Sequence, residues 1–330
     1  MQTDSTIRYG IIGFGQFAEK AIAPAIRGAA HSKLVAVQKR SLAEARAKAD
    51  EYSIPLAFDS VHDLVAHPAV DAVFIVSANS CHHTETLAAA EAGKHVIVEK
   101  PMAMNAAEGQ QMIDVCTKHR VKLMVGHMVR LSPLVIRVRE LVQSGALGRV
   151  IVARADFMYD GSMSHRGWLY DRTVAGGGPV FDIGVHCLDT LRFILQDEVV
   201  SVKSELYPLP TATRTEASAQ LALQFSRGTI GSVYCSFEAP IRRIYLEIVG
   251  TMGLVSAADF TVSGIHTALT VTVARQDMAA EPSVEGFQIP NLYVEEVTRF
   301  SQSILDGSDP PLSGQNGLQN QRVLDEALKV

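Results

Sequence analysis

Residues 11–18 read Ile11-Ile12-Gly13-Phe14-Gly15-Gln16-Phe17-Ala18, and this turn sets the architecture expected of the first half of the chain. The short apolar run 9–13 predicts a buried strand, and the pattern of 16–27 predicts a helix. Between them, the spacing Gly-x-Gly-x-x-Ala is typical of a dinucleotide-binding turn, whose glycines let the backbone approach a pyrophosphate at a helix start. A chance glycine-rich turn is the alternative. The predicted cofactor contacts here are Gly13, Phe14, Gly15, Gln16, Phe17 and Ala18.

The sequence around this turn favours the dinucleotide-binding interpretation. From Ile7 to about Leu123, short apolar runs alternate with longer amphipathic stretches, as they do in βαβ units around a parallel sheet. We predict strands at 9–13, 34–38, 72–76, 95–99 and 122–126, with helices that include 16–27, 42–51 and 84–92.

The second half of the chain has a different pattern. After a helix predicted at 134–142, alternating apolar and polar residues predict strands at 150–157, 200–206, 219–225, 229–237 and 245–249, and an amphipathic helix ends at Gly307. We therefore predict an α/β domain at 1–125, followed by an α+β domain at 126–330 with a large, mostly antiparallel open sheet. This second domain is expected to bind substrate and to mediate oligomerisation.

The bulk composition restricts the classes of partner. The 330 residues carry a formal net charge of -5, with 47% hydrophobic and 20% charged residues, and the sequence pI is near 6.1. This balance offers no basic surface for nucleic acid or an acidic membrane, so a small-molecule partner is expected.

The cysteines and the N-terminus bear on location and metal binding. Cys81, Cys116, Cys187 and Cys235 are scattered without zinc-ligand spacing, and the adjacent pair His82-His83 has no acidic partner at ligand spacing. We predict reduced thiols and no metal. The polar N-terminus has no signal-peptide pattern and no apolar run could span a bilayer, which predicts a cytoplasmic protein.

Two further segments place ionisable side chains where chemistry is expected. Glu99-Lys100-Pro101 follows an apolar strand, and ligands of parallel sheets bind outside the carboxyl ends of strands, so Lys100 is expected to face the cofactor crevice. A lysine that opens a surface loop is the alternative. After Gly176-Gly177-Gly178-Pro179, a predicted helix carries Asp182 and His186 four residues apart on one face. A structural histidine is the alternative there.

Together these segments resemble the glucose-fructose oxidoreductase and inositol dehydrogenase (Gfo/Idh/MocA) family. The resemblance covers nearly the whole chain and includes Ser77-Ala78-Asn79-Ser80-Cys81-His82 and Gly93-Lys94-His95. One departure is Ala78, where the family often has proline. The resemblance implies an N-terminal Rossmann domain and an NAD(P)-dependent oxidoreductase that acts on a sugar, keto-sugar or cyclitol. It also implies a homodimer or homotetramer, for which an exposed sheet in the second domain is the natural surface.

The same resemblance implies residue roles. Lys100, Asp182 and His186 are expected to line the nicotinamide pocket, with His186 as general acid and base, Lys100 holding the reacting oxygen, and Asp182 orienting the substrate or His186. The lysine–proline bond is often cis in this family. Further cofactor contacts are predicted at Ser77, Asn79, His82, Glu99 and Lys100.

A substrate wall is predicted from side chains that suit a sugar ring and its hydroxyls, with packing or surface positions as the alternative. Its candidates are Arg130, Tyr159, His165, Trp168 and Tyr170. The segments 167–178 and 189–193 look most like family members that reduce sugar ketones such as 1,5-anhydrofructose.

The cofactor preference is predicted from Lys39-Arg40-Ser41 after the second strand. NAD-binding members of this fold carry an acidic residue there, whereas Arg40 can grip a 2′-phosphate, and Lys39 and Ser41 can add donors. We therefore expect NADP(H) in preference to NAD(H), with ordinary solvated charges as the alternative. A non-catalytic cofactor-binding sensor or scaffold is the rival function. A methyltransferase that uses the same type of glycine turn is a third interpretation, and it is rejected because it would leave Lys100 without a function.

Overall fold

The computed structural model describes residues 6–164, 166–274 and 281–329, except for the side chain of Met163. The chain divides into two compact units. One runs to Met128 and includes Tyr293–Gln321, and the other comprises Val129–Leu292 and the residues from Arg322 onward. No helix in the described ranges is long and apolar enough to cross a lipid bilayer.

The first unit contains a six-stranded parallel sheet in the order β3-β2-β1-β4-β5-β6. Its strands are β1 (Ile7–Ile12), β2 (Ser32–Gln38), β3 (Leu56–Phe58), β4 (Ala72–Ile75), β5 (His95–Val98) and β6 (Leu123–Val125). Its helices are α1 (Ala23–Gly28), which continues a π-helical turn at Ala18–Ile22, α2 (Leu42–Glu51), α3 (Val61–Ala66), α4 (His82–Glu91) and α5 (Ala106–Lys118). The order reverses at β1, which gives the Rossmann arrangement and a crevice at the carboxyl ends of its strands.

The strands of this sheet were predictable because most are buried on both faces. Every residue of β4 is buried, for example, and an apolar run is the expected sequence for such a strand. The five strands predicted in this half are all present. The sequence analysis missed β3, since three half-buried residues carry no clear period.

The second unit contains an eight-stranded sheet in the order β14-β13-β12-β11-β7-β10-β9-β8. Its elements are α6 (Pro133–Gln143), β7 (Val150–Asp160), α7 (Arg172–Ala175), a π-helical turn at Val180–Gly184 that continues into α8 (Val185–Leu195), β8 (Val199–Tyr207), β9 (Ser218–Phe225), β10 (Ile230–Ser236), β11 (Glu238–Gly250), β12 (Gly253–Ala258), β13 (His266–Val273) and β14 (Ser283–Gln288). Among the described strands of this sheet, β7 and β10 are the one pair that runs parallel, which confirms a mostly antiparallel sheet. The predicted hairpin is β9–β10, with Gly228 at a positive φ of 90°.

One face of this sheet is buried and the other is exposed. Along β9, Leu221 and Leu223 are buried while Gln220, Ala222 and Gln224 are exposed. This alternation is the expected pattern for an open sheet that packs on one side only. The sequence analysis did not predict β12 to β14.

Two C-terminal helices complete the chain, α9 (Leu292–Asp306) and α10 (Gly314–Ala327). Most of this region packs within the first unit, where the hydroxyl groups of Tyr9 and Ser301 are 2.8 Å apart. The predicted boundary after residue 125 placed these helices in the second domain. Helical periodicity reveals an apolar face but not which part of the chain covers it.

Candidate active site

The glycine turn after β1 has the shape that a pyrophosphate requires. Gly13 has a φ of +83°, and a Cβ there would lie 2.7 Å from the Ser77 backbone, so only glycine fits. At Gly15 the nearest heavy atom to an added Cβ is 3.9 Å away, and Gln16 beyond it is exposed. Phe14 is buried instead and packs edge-on against Tyr52, with ring centroids 5.6 Å apart. The turn therefore leaves room beside its backbone, and these residues fit a dinucleotide.

Gln38, at the end of β2, fixes this turn. Its Oε1 accepts a hydrogen bond from the Gly13 N–H at 3.2 Å, and its backbone oxygen accepts one from the Phe14 N–H at 2.9 Å. The Gln38 side chain also donates to the Asp59 carbonyl at 3.1 Å. The sequence analysis treated Gln38 only as the last residue of a strand.

The three residues predicted to select the cofactor have different environments. Lys39 donates from Nζ to the Phe14 carbonyl oxygen at 3.1 Å, so its ammonium group already contacts the glycine turn. Ser41 caps α2 by accepting a hydrogen bond from the Glu44 N–H. Arg40 is the most exposed of the three.

Ser77 and Glu85 form a polar contact beside the glycine turn. The Ser77 hydroxyl donates to a carboxylate oxygen of Glu85, on α4. Burial raises the pKa of Glu85 to about 7, although the bond from Ser77 opposes the rise. Glu85, which the sequence analysis did not single out, thus changes charge near neutral pH close to Gly13.

His82 is enclosed rather than presented to a ligand. Its Nδ1 lies 2.9 Å from the Pro101 carbonyl oxygen and its Nε2 lies 3.3 Å from that of Ser77. Burial lowers the pKa of His82 to about 4, so the ring is neutral at pH 7. The ring thus joins the loops that follow β4 and β5, and its direct contact with a cofactor stays a prediction. Asn79, in the same segment, is also buried.

Lys100 stands where the sequence places it, after the carboxyl end of β5, and the Lys100–Pro101 peptide bond is cis. Glu99 is buried, and its Oε2 accepts a hydrogen bond from the Lys100 N–H at 3.2 Å. Gly126, after β6, packs so closely that an added Cβ would lie 3.2 Å from Glu99 Oε1. The buried carboxyl group of Glu99 therefore fixes the backbone of Lys100 through this hydrogen bond.

A second buried carboxyl group belongs to Glu296 on α9. Glu296 is fully buried, and neither of its carboxyl oxygens has a hydrogen-bond partner among the described residues. Burial, reinforced by the nearby Glu99 carboxyl group, raises the pKa of Glu296 well above its usual range. Two such groups in one low-dielectric region do not both ionise readily, so we expect Glu296 to hold its proton to a higher pH than an exposed carboxyl group does.

We predict that Glu296→Gln makes the protein less sensitive to alkali. In the folded protein the raised pKa keeps Glu296 protonated, whereas in the unfolded chain it titrates near its ordinary 4.5. The contribution of this retained proton to the free energy of unfolding is therefore fully present below pH 4.5. It is lost as the pH rises through the raised pKa that Glu296 has in the folded protein. Melting temperatures measured across pH 5–9 should show the variant gaining on the unmodified protein as pH rises. A constant difference, or a loss that grows with pH, would contradict this, and Glu295→Gln on the exposed side of α9 is the control.

The second unit carries Asp182 and His186 on one helical segment. Asp182 lies in the π-helical turn and His186 is the second residue of α8. Both predicted residues are therefore on a helix, four positions apart. The ring of His186 lies near that of Phe157, with centroids 6.5 Å apart. Local π-helical turns of this kind occur often at functional sites.

Arg166 is a partner of Asp182 that the sequence analysis missed. Its two terminal nitrogens donate to the two carboxylate oxygens of Asp182 at 3.1 and 3.0 Å. The hydroxyl of Tyr159 donates to the same carboxylate at 3.3 Å. Burial and the charge of Asp182 raise the pKa of Tyr159, which keeps the phenol protonated as a donor. Asp182 is therefore held as an oriented carboxylate, with Tyr159 beside it.

The guanidinium group of Arg130 is paired with a buried carboxylate. Its Nε and Nη2 donate to the two carboxylate oxygens of buried Asp189 at 2.8 and 2.7 Å, and its guanidinium group lies over the ring of Phe193. The charge of Arg130 is thus compensated inside the unit, and its contact with a substrate stays a prediction. Trp168 is half-buried in a short helical turn, Gly167–Tyr170.

The remaining candidates for the substrate wall are aromatic. Tyr159 and Tyr170 both pack against Phe237, with ring centroids 5.4 and 5.8 Å apart. His165 lies outside the described residues. Within the described ranges, no three His, Cys, Asp or Glu side chains form a cluster that could hold a metal ion, and the absence of a metal stays a prediction.

Comparisons with known proteins agree with these features. Residues 7–127 match the model of an oxidoreductase family with an NAD-binding Rossmann fold, and residues 135–256 match the GFO/IDH/MocA C-terminal domain. The chain is 29% identical to a 1,5-anhydro-D-fructose reductase from Ensifer adhaerens, over 94% of this chain and 92% of that protein. It is 30% identical to a D-xylose 1-dehydrogenase (NADP(+)) from Haloferax volcanii, over 96% of this chain and 95% of that protein.

A solved structure gives the same result. The aldose-aldose oxidoreductase from Caulobacter crescentus, in complex with glycerol, superposes with a TM-score of 0.85. It is 28% identical to this chain, and the alignment covers 97% of this chain and 96% of that one. With both halves matched by family models and relatives aligned over nearly the full length, the chain belongs to the GFO/IDH/MocA family of oxidoreductases.

Proposed function

We propose that this protein is an NAD(P)-dependent oxidoreductase that transfers a hydride between a nicotinamide ring and a CH–OH or C=O group of a sugar, keto-sugar or cyclitol. The observation that carries the proposal is the glycine turn at Gly13 after β1, in the same parallel sheet in which Lys100 follows the carboxyl end of β5. A dinucleotide turn alone would also suit a sensor. A lysine after the carboxyl end of β5 adds an ammonium group where ligands of such sheets bind, and this group can take part in a reaction.

The nicotinamide, when bound, supplies or accepts the hydride, so the chain has to orient the substrate and manage one proton. His186 gives that proton to the reacting oxygen in reduction and takes it in oxidation. Lys100 holds the same oxygen and stabilises the negative charge that develops there. Asp182, fixed by Arg166 and Tyr159, orients the substrate or His186. The match of these residues to the family motifs supports the assignment.

The carbohydrate class is proposed from two sources. The named relatives act on 1,5-anhydro-D-fructose, on D-xylose and on aldoses. In this chain, Trp168, Tyr159 and Tyr170 supply aromatic surface in the second unit, and sugars present apolar ring faces to such side chains. A panel of aldoses, keto-sugars and cyclitols, read by nicotinamide absorbance, tests the proposal. Turnover of none of them by folded protein would count against it.

We also propose that NADP(H) is preferred over NAD(H), with Arg40 as the principal phosphate contact. The Arg40→Ala variant should bind NADPH at least tenfold more weakly and NADH almost unchanged, because a charge-assisted bond to the 2′-phosphate is lost. Fluorescence titration of each reduced cofactor measures this. Arg46→Ala, exposed on α2, is the control. Tighter binding of NADH by the unmodified protein, or an unchanged preference in Arg40→Ala, would overturn the proposal.

Assembly and location are proposals too. We propose a homodimer or homotetramer built on the exposed face of the eight-stranded sheet, where Ile230 and Tyr207 leave apolar surface uncovered. The molar mass measured by light scattering after size-exclusion chromatography tests this assembly, and the mass of a monomer would reject it. A cytoplasmic location is proposed because all four cysteines are free thiols and three of them are buried.

A further inference from the structure

A buried carboxyl group lies at the start of the helical segment that carries Asp182 and His186. Glu216, just before β9, is fully buried, and its Oε1 accepts a hydrogen bond from the Val180 N–H at 3.1 Å. Val180 is the first residue of the π-helical turn, and the first N–H groups of a helix have no partner within the helix. Glu216 therefore caps this helix from a distant part of the chain.

The backbone of Glu216 also contacts the glycine turn before that helix. A Cβ at Gly178 would lie 2.1 Å from the Glu216 carbonyl oxygen, so no other residue fits. The neighbouring Thr215 is buried as well, and its hydroxyl donates to the Leu169 carbonyl oxygen at 3.1 Å. Leu169 belongs to the short turn that carries Trp168. One dipeptide thus holds both segments that the proposed function assigns to the substrate.

Burying the carboxyl group of Glu216 costs free energy, because the group loses its contacts with water. Burial raises its pKa, while hydrogen bonds from the backbone of Gly178 and Val180 oppose the rise. An apolar side chain would fill the same space without any desolvation cost. The two largest effects that offset this cost are the hydrogen bonds from Gly178 and Val180, which lie at the start of the helix. The other carboxyl oxygen, Oε2, has no hydrogen-bond partner among the described residues, so the bonds at the helix start are the main role that the structure gives this polar group.

We propose that Glu216 is a positioning residue, which fixes Asp182 and His186 for the reaction by holding the N–H groups at the start of their helix. The inference rests on the proposed function of those two residues. The expected effect of losing Glu216 on the reaction rate follows from geometry. A displacement of about 1 Å at a reacting group can cost on the order of a hundredfold in rate.

Three variants of the full chain test the proposal: Glu216→Ala, Glu216→Gln and Glu216→Asp. The alanine variant should lose kcat by tenfold or more, on the order expected for a misplaced acid–base group. Glutamine keeps an oxygen that can accept from Val180 and should stay within roughly threefold of the unmodified protein. Aspartate is one methylene shorter and should lose kcat like alanine. The Kd for NADPH should not change, and Glu140→Ala, exposed on α6, should behave as the unmodified protein.

Several outcomes would overturn the proposal. These are a folded alanine or aspartate variant with normal kcat, an equal loss in the alanine and glutamine variants, or a lower melting temperature with normal kcat. Should alanine prevent folding, the comparison of glutamine with aspartate decides. Failure of the proposed function would appear separately, as no turnover by the unmodified protein. In that case amide hydrogen exchange at Val180–Gly184 still tests the cap, and it should be faster in the aspartate variant than in the glutamine variant.

Discussion

Lys100→Met should lower kcat by on the order of a hundredfold or more while leaving the Kd for the cofactor nearly unchanged. Lys100 follows β5 at the carboxyl edge of the parallel sheet, and its backbone N–H is held by the buried carboxyl group of Glu99. Methionine keeps an unbranched side chain as far as the ε carbon but lacks the ammonium group that would stabilise charge on the reacting oxygen. Steady-state kinetics together with fluorescence titration of the cofactor separate the two effects.

The matched control for this change is Lys118→Met, at the exposed end of α5. It removes an exposed lysine of the same unit, in the segment that leads into the amino end of β6 rather than at a carboxyl end, and should leave kcat unchanged. A folded Lys100→Met protein with near-normal turnover would remove Lys100 from the mechanism. Loss of cofactor binding together with turnover would instead make Lys100 a binding residue.

His186→Asn should lower kcat by on the order of a hundredfold to ten-thousandfold, the usual contribution of a general acid or base. Asparagine retains hydrogen bonding but cannot exchange a proton near neutral pH. The pH profile of the variant should therefore be flat across the range near pH 6.5 in which an ordinary imidazole titrates. The measurement is kcat/KM against pH for both proteins.

The control for this prediction is His62→Asn, because His62 is highly exposed on α3. It should keep both the rate and the pH profile of the unmodified protein. If His186→Asn retained the original profile at a reduced rate, the proton would have to be carried by another group. The titrating Glu85 beside Ser77 would then be the first to examine.

The fold could be predicted where side-chain pattern and burial agree. Val96, Ile97 and Val98 are wholly buried in β5, so the strand appears as an unbroken apolar run, and the position of Lys100 follows from it. The π-helical turns at Ala18–Ile22 and Val180–Gly184 could not be predicted. These turns differ from an α-helix in the pairing of their backbone hydrogen bonds. The same side chains are compatible with both pairings, so the side-chain pattern does not separate them.

Pairings between distant residues were the part of the site that the sequence did not reveal. Arg166 and Asp182 are 16 positions apart, with only short helical turns between them, and Arg130 and Asp189 are 59 positions apart. A weak signal did exist for Asp189, since an acidic residue in the largely apolar α8 needs a partner once it is buried. Glu296 and Glu216 gave no such signal, because they resembled ordinary polar positions of a helix and a loop.

Hydride transfer to a sugar-like carbonyl group can be followed with reduced cofactor deuterated at the ring carbon that gives the hydride. NADPH labelled in this way is incubated with the protein and the keto-sugar that is turned over fastest, and the product is examined by NMR. We expect one deuterium on the new carbinol carbon of the product and none in solvent water. A folded protein that binds the labelled cofactor but transfers no deuterium to any member of the panel would contradict it and would favour a cofactor-binding sensor or scaffold.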